Sequence, residues 1–265
     1  MNKWVFASLL TVLAALGLQS AVAGTISLNT TVSSTVQGDS LRVTVRVDNR
    51  GTESAYNGQA EIEVLGQRVA TDKVSEFPVG KPVVLSAVAK LDATTPGTYP
   101  LVVTILYTDA NQYPFSALAS QVFPLRTTNS ICDVVGRVGE VTLSTRGKTA
   151  VTLKNLGDKE LATSTRLVVP RELTVDGAAV PLTLPGRAER TMKFTVANFS
   201  ATGGSTYPAA AICEFDRDGR HYTMIASGVV KVVARREIMG LNYSLLGVIL
   251  GALVLAFIVF QKFKK

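Results

Sequence analysis

Leu41-Arg42-Val43-Thr44-Val45-Arg46-Val47-Asp48-Asn49-Arg50-Gly51 is the stretch that decides the fold class. Apolar and polar residues alternate with period two, most of the apolar ones are β-branched, and an Asn-x-Gly step ends the run. That pattern is a strand with one buried face, closed by a turn. Similar runs at 26–32, 60–65, 83–91, 99–107 and 117–125 are separated by turn-forming stretches such as Pro96-Gly97 and Asp109-Ala110-Asn111. Helical periodicity is hard to find between Gly24 and Val233. Short strands at regular spacing with intervening turns predict a β-sandwich.

The pattern is written twice. Val43–Gly51 is echoed by Lys148-Thr149-Ala150-Val151-Thr152-Leu153-Lys154-Asn155-Leu156-Gly157, and Gly97-Thr98-Tyr99-Pro100 by Ser205-Thr206-Tyr207-Pro208. A hairpin follows each, around Asp109-Ala110-Asn111 and around Asp216-Arg217-Asp218-Gly219, and then a last strand. Matched landmarks in the same order, about 106 to 109 residues apart, point to duplication. The expected organisation is two tandem β-sandwiches, 24–126 and 127–234, joined near Arg126-Thr127-Thr128-Asn129-Ser130. The structural landmarks are Asn49, Gly51 and Tyr99, then Asn155, Gly157 and Tyr207. The Asn-x-Gly steps are expected to close strands with residues that tolerate positive φ. The tyrosines, at the start of a central strand, are expected to cover the open end of each core, like the tyrosine device of immunoglobulin-like sandwiches.

Val45-Arg46-Val47-Asp48-Asn49-Arg50-Gly51-Thr52-Glu53-Ser54-Ala55, the strand pair after it, and Gly97-Thr98-Tyr99-Pro100-Leu101-Val102-Val103 resemble CARDB-type immunoglobulin-like domains of bacterial and archaeal surfaces. The resemblance covers most of the first repeat and, more weakly, the second, where Asn155-Leu156-Gly157-Asp158 departs from the usual Gly-Thr ending. It implies an immunoglobulin-like fold and a cell-envelope setting, and transfers no binding site.

The two ends carry a different signal. Met1-Asn2-Lys3, an apolar run from Trp4 to Leu18, and Gln19-Ser20-Ala21-Val22-Ala23-Gly24 read as a signal peptide over 1–23, cleaved after Ala23. Ile238 to Phe260 contains no formal charge and is long enough to cross a bilayer as one helix, 238–260. Lys262, Lys264 and Lys265 form a basic tail, 261–265, which the positive-inside rule places in the cytoplasm. Gly247 and Gly251, with Ala252 and Ala256 one turn on, make small-residue steps at which helix backbones approach closely, a route to a homodimer through the membrane; small residues are also simply common in membrane helices. The predicted fold class is therefore all-β: two immunoglobulin-like sandwiches plus one C-terminal transmembrane α-helix.

Composition narrows the chemistry. Of the formal charge of +7, Lys3 contributes one and the tail lysines three, leaving +3 for everything between, with acidic and basic residues interspersed. Nucleic-acid binding concentrates positive charge on one face and is disfavoured here. Cys132 and Cys213 are the only cysteines; an even count in an exported chain favours a disulfide over two buried free thiols. His221 is the only histidine and reads as a solvated strand residue beside Arg220, which rules out a histidine metal cluster. Asp216-Arg217-Asp218-Gly219 has carboxylates at alternate positions but no later Glu to complete a calcium loop, so a charged hairpin turn accounts for it. Glu61 and Glu63 share one strand face with nothing to place them across a cleft. No catalytic, cofactor-binding or metal-ligating residues emerge, and the sole Trp lies in the leader.

The expectation is a non-catalytic protein of the bacterial cytoplasmic membrane. Its ectodomain would lie in the periplasm or outside the cell, and its sandwiches would act as an interaction, adhesion or scaffold module toward other envelope or membrane proteins. The alternatives are an accessory subunit of a transport, export or envelope-biogenesis complex, and a surface carbohydrate binder.

Overall fold

The computed structural model describes residues 24–128, 131–234, 237–238, 241–242, 247–249, 251–253 and 260. The predicted signal peptide, the basic tail and most of the predicted membrane span lie outside the described residues.

The first half holds β1 (Leu28–Gln37), β2 (Ser40–Asn49), β3 (Ala55–Val64), β4 (Gln67–Ala70), β5 (Val74–Phe77), β6 (Val83–Lys90), β7 (Gly97–Thr108) and β8 (Pro114–Leu125). Leu41, Val43, Val45 and Val47 of β2 are buried while Arg42 and Arg46 are exposed, as the alternation predicts. One layer is β1-β2-β6; facing it, β7 pairs with β8 and β3, and β3 pairs with the short strands β4 and β5. Between the layers lies a core that includes Leu41, Val43, Val45, Ile62, Phe77, Leu101, Ile105 and Phe123.

The second half holds β9 (Val134–Val138), β10 (Val141–Leu143), β11 (Arg146–Asn155), β12 (Leu161–Val168), β13 (Leu173–Val175), β14 (Val180–Leu184), β15 (Glu189–Asn198), β16 (Thr206–Arg217) and β17 (Arg220–Val232). Its layers are β13-β15-β11-β9 and β14-β12-β16-β17, around a core of its own that includes Leu153, Leu184, Phe194, Ala211 and Phe215. The central pairings match those of the first half. β11 sits between β9 and β15 as β2 sits between β1 and β6, and the hairpin β16–β17 answers β7–β8. The turn Asp218-Gly219 has positive φ at both residues, the geometry a two-residue hairpin requires.

The two halves are not beads on a string. β17 runs parallel to β7 where His221 meets Gly97, so the facing layers form one ten-stranded sheet. At the C-terminal end the sequence reading needs correcting. Glu237–Ile238 (β18) and Leu241–Asn242 (β19) pair as strands, so Ile238 is not the first residue of a helix. Helix is described at 247–249, 251–253 and 260, and among the described residues no helix is long and apolar enough to cross a membrane. A Cβ added at Gly247 or Gly251 would meet no described residue within 4 Å.

Candidate functional site

A set of ionisable and hydrogen-bonding side chains meets at the seam between the halves. Gly97 opens β7 directly against the His221 carbonyl, and a Cβ there would lie 2.0 Å from that oxygen. His221 N–H donates to Pro96 O at 3.0 Å. Thr223 N–H donates to Thr98 Oγ1 at 3.1 Å, and Thr223 Oγ1 donates to Thr98 O at 2.7 Å; both threonines are buried. This is backbone-like pairing completed by side chains, which satisfies polar groups that the seam removes from water.

His221 departs from the solvated position expected of it. Its side chain is 16% exposed, and its ring stacks on Tyr99 with centroids 4.3 Å apart. Nδ1 lies 2.8 Å from Asp216 Oδ1 and Nε2 lies 3.2 Å from Glu214 Oε1. Burial works against the imidazolium, but the hydrogen bonds and charges of Glu214 and Asp216 outweigh it and raise the pKa. With both nitrogens protonated, each donates to a carboxylate. Among the described residues no Ser or Thr hydroxyl is hydrogen-bonded to the ring, which the two carboxylates clamp.

Glu61 and Glu63 are also drawn into the seam. Glu63 pairs with Arg166 at 2.8 Å and Glu61 with Arg171 at 2.5 Å, both arginines coming from the second half. Farther along, Glu172 accepts from Ser116 N–H and Ser116 Oγ–H, each at 2.5 Å, while Arg171 N–H donates to Ser116 Oγ at 2.8 Å. Tyr113 Oη–H donates to Ser200 O at 3.0 Å. Glu172 thereby covers a free edge N–H of β8, a group that otherwise invites strand addition. The sequence reading missed Ser116, Arg166, Arg171 and Glu172. None of them belongs to a periodic pattern or motif, and their partners lie 50 or more residues away.

The repeat landmarks turn out to be buried polar networks. Asn49 and Asn155 are both 0% exposed. Asn49 Nδ2 donates to Glu53 O and Phe77 O, and its Oδ1 accepts from Gly51 N–H and Ser27 N–H. Asn155 Nδ2 donates to Lys159 O, Leu184 O and Pro185 O, and its Oδ1 accepts from Gly157 N–H. None of Asn49, Gly51, Asn155 or Gly157 has positive φ, so the expected backbone reason for the motif is wrong. The asparagine ties two loops together, and Gly51 is needed for space, since a Cβ there would sit 2.0 Å from Thr25 O. Tyr99 and Tyr207 are both buried, at equivalent corners. Tyr99 Oη–H donates to Thr95 O at 2.8 Å, and Tyr207 Oη accepts from Thr202 N–H at 3.0 Å.

Cys132 and Cys213 are free thiols and not the bridge expected of an even count. Cys132 Sγ points to Val134 O at 3.5 Å, and both sulfurs pack against the second core. Burial raises both thiol pKa values. In the Asp216–Gly219 turn, Asp216 binds His221, while Arg217 pairs with Asp133 and sits over the Tyr222 ring. Among the described residues no group of three or more His, Cys, Asp or Glu side chains could hold a metal ion.

No curated protein matches the chain. Among solved structures, similarity extends to a red sea bream transglutaminase, 17% identical over 80% of this chain and 31% of that one, at a TM-score of 0.28. It extends also to the native conformation of Escherichia coli alpha-2-macroglobulin, 10% identical over 78% of this chain and 17% of that one, at 0.32. A Porphyromonas gingivalis W83 protein of unknown function is 13% identical over 76% of this chain and 98% of its own, at 0.27. The chain spans less than a third of the first two proteins, and likeness at these scores carries no functional inference. The family comparison is local: residues 25–110 match the CARDB family model, so the first half carries an immunoglobulin-like CARDB domain.

Proposed function

We propose that this is a non-catalytic, membrane-anchored envelope protein whose two immunoglobulin-like sandwiches, tandem copies of one domain, form a single docked module that binds other envelope proteins. The carrying observation is the seam. Glu61, Glu63, Arg166, Arg171 and Glu172, groups from which acid–base chemistry would be built, are engaged in holding one half to the other, and His221 is gripped by Glu214 and Asp216 of its own half while its ring stacks on Tyr99 of the first. The CARDB match over residues 25–110 supports an extracytoplasmic binding module. The outer face of β1-β2-β6 is left for a partner: Arg42 and Arg46 alternate along β2, flanked on β6 by the exposed Val84 and Val88. In this reading the leader 1–23 is removed, the segment around 238–260 anchors the chain in the cytoplasmic membrane, and the tail is cytoplasmic. The four-residue spacing of Gly247 and Gly251 suits a helix that packs against another membrane helix, its own copy or that of a larger complex.

Protease shaving of spheroplasts tests this, combined with photo-crosslinking from Val84 and Val88. The expected result is digestion of the ectodomain, a protected fragment containing Leu241–Lys265, and crosslinks to a defined envelope protein. A protected ectodomain, or a released chain with no membrane fragment, overturns it.

A further inference from the structure

A cavity of about 640 Å³ opens where the first sandwich meets the second. Its origin is topological. β1 and β8 are the facing edges of the two layers of the first half. At one end they are held together, Gln121 Nε2 donating to Ser34 Oγ at 3.2 Å. Toward the other end, Leu28–Thr30 and Ala117–Ala119 line opposite sides of the opening, and Thr206-Tyr207 of the second half contributes a further wall. The Thr30 hydroxyl, at this wall, has no hydrogen-bond partner among the described residues.

The lining has a definite chemistry. Three aromatic rings contribute, Tyr107, Phe115 and Tyr207, with Tyr107 and Phe115 stacked at 5.7 Å. Three carboxylates contribute, Glu53, Asp109 and Glu172, and among the described residues no Lys or Arg does. Gly24 lies at the rim beside Glu53 and, with the leader removed after Ala23, brings its α-ammonium to that carboxylate, leaving Asp109 and Glu172. Asp109 Oδ1 accepts from Tyr113 N–H. Glu172 is the unusual member. It is 2% exposed, and its hydrogen-bond donors are the neutral N–H and O–H of Ser116. A carboxylate offers roughly four acceptor sites, of which these fill two. A buried charge is ordinarily paired with an opposite one. The neighbouring Arg171 guanidinium is turned to Glu61, and Lys73 and Arg171 line an adjoining cavity of about 380 Å³ that shares Tyr107, Phe115 and Glu172 as walls. The negative charge is felt inside the larger cavity: burial first, then Glu172 and Tyr207, push the Tyr107 phenol far up, so it stays neutral.

We infer that this cavity binds an organic cation, an alkylammonium or guanidinium group, seated on the aromatic rings with Glu172 as its counter-charge. Ring faces attract cations, most strongly where water is excluded. A small metal ion requires a tight cage of oxygens, which an aromatic-walled space of this size does not offer. The inference is independent of membrane anchoring and goes beyond the interaction-module reading.

The test is calorimetric titration of the full chain in detergent with choline, butylguanidinium and N-acetyl-lysine amide, against 3,3-dimethylbutanol, the neutral isostere of choline. At least one cation is expected to saturate the site about tenfold more tightly than the isostere, matching about 1.4 kcal/mol of charge recognition. Preference for the lysine amide over the free cations assigns the natural ligand to a protein side chain, and the reverse to a free amine. Glu172→Gln is expected to abolish the tenfold preference. Should that variant fail to fold, Asp109→Asn and Phe115→Leu in the wall are each expected to weaken cation binding severalfold without changing affinity for the isostere. Equal affinity for cation and isostere, or no saturable binding of any cation, overturns the inference. Either result leaves the protease-shaving outcome untouched.

Discussion

The two halves solve the same packing problem with unequal tolerances. Both bury an asparagine at 0% exposure and hang two loops from its side chain, and both place a tyrosine at the entry to a central strand. They differ in the glycine two residues after the asparagine. At Gly51 a Cβ would collide with the Thr25 backbone, because the segment before β1 crosses this loop and hydrogen-bonds to it through Thr52 and Glu53. At Gly157 the nearest neighbours of a Cβ are side-chain atoms of Asn155 and Asp133, at 3.3 and 3.4 Å. A shared motif therefore records a shared asparagine network, while the glycine is a strict requirement only where a second backbone passes over it.

The largest effect that could break this equivalence is loss of either asparagine. Asn49→Ala and Asn155→Ala each strand several buried loop groups, and each is expected to destabilise its own half by about 3–4 kcal/mol. Hydrogen exchange read by mass spectrometry should localise the loss to residues 24–126 in the first case and 131–234 in the second. A loss below about 1 kcal/mol in one half would show that the networks are not equivalent. Next in size, Gly51→Ala should cost about 2 kcal/mol or more through forced backbone movement, and Gly157→Ala less than about 1. Equal costs in chemical denaturation would refute the distinction.

Gly97→Ala probes the seam and not either core. The added Cβ meets the His221 carbonyl, so the halves should lose their mutual protection at Pro96–Tyr99 and His221–Thr223 while each retains its own protected core. Concerted unfolding of both halves in that variant would show that neither stands without the seam.

The smallest effect is the pH response. The folded-state pKa of His221 is raised, because the carboxylates of Glu214 and Asp216 outweigh its burial. A raised pKa means that the histidine's contribution is fully present below its unfolded value, near 6.5, and is lost as pH rises through the higher folded value. Seam protection measured across this range should fall with rising pH, and His221→Gln should flatten the profile. A profile that rises with pH would place the neutral imidazole in the clamp.

Much of the fold was legible because its cause is local. The alternation in Leu41–Val47 faces one layer of core, so period two predicts which side chains are buried. Strands β4 and β5 were missed: four residues each are too few for a period to declare itself, and both exist only by pairing with β3. The candidate site was legible in part. Tyr99 and Tyr207 were placed at core edges by their position before Pro and a long apolar run. Glu61 and Glu63 were recognised as sharing a face, but the arginines opposite them come from more than 100 residues away. His221 looked solvated because its immediate neighbours, Arg220 and Gly219, belong to an exposed turn. Only the crossing against Gly97 brings Tyr99 over its ring.

The sequence by itself determined the strand-rich character of the chain and the positions of its buried landmarks, because strand alternation is a property of a few consecutive residues. Tertiary structure alone decided how the halves meet, which carboxylates face arginine, and that Glu172 lines a cavity with Ser116 as its hydrogen-bond donor. Those outcomes depend on which surfaces two finished sandwiches bring together. No local pattern encodes that choice, since a charged residue on a wet strand face reads the same whether water or a second domain lies opposite it.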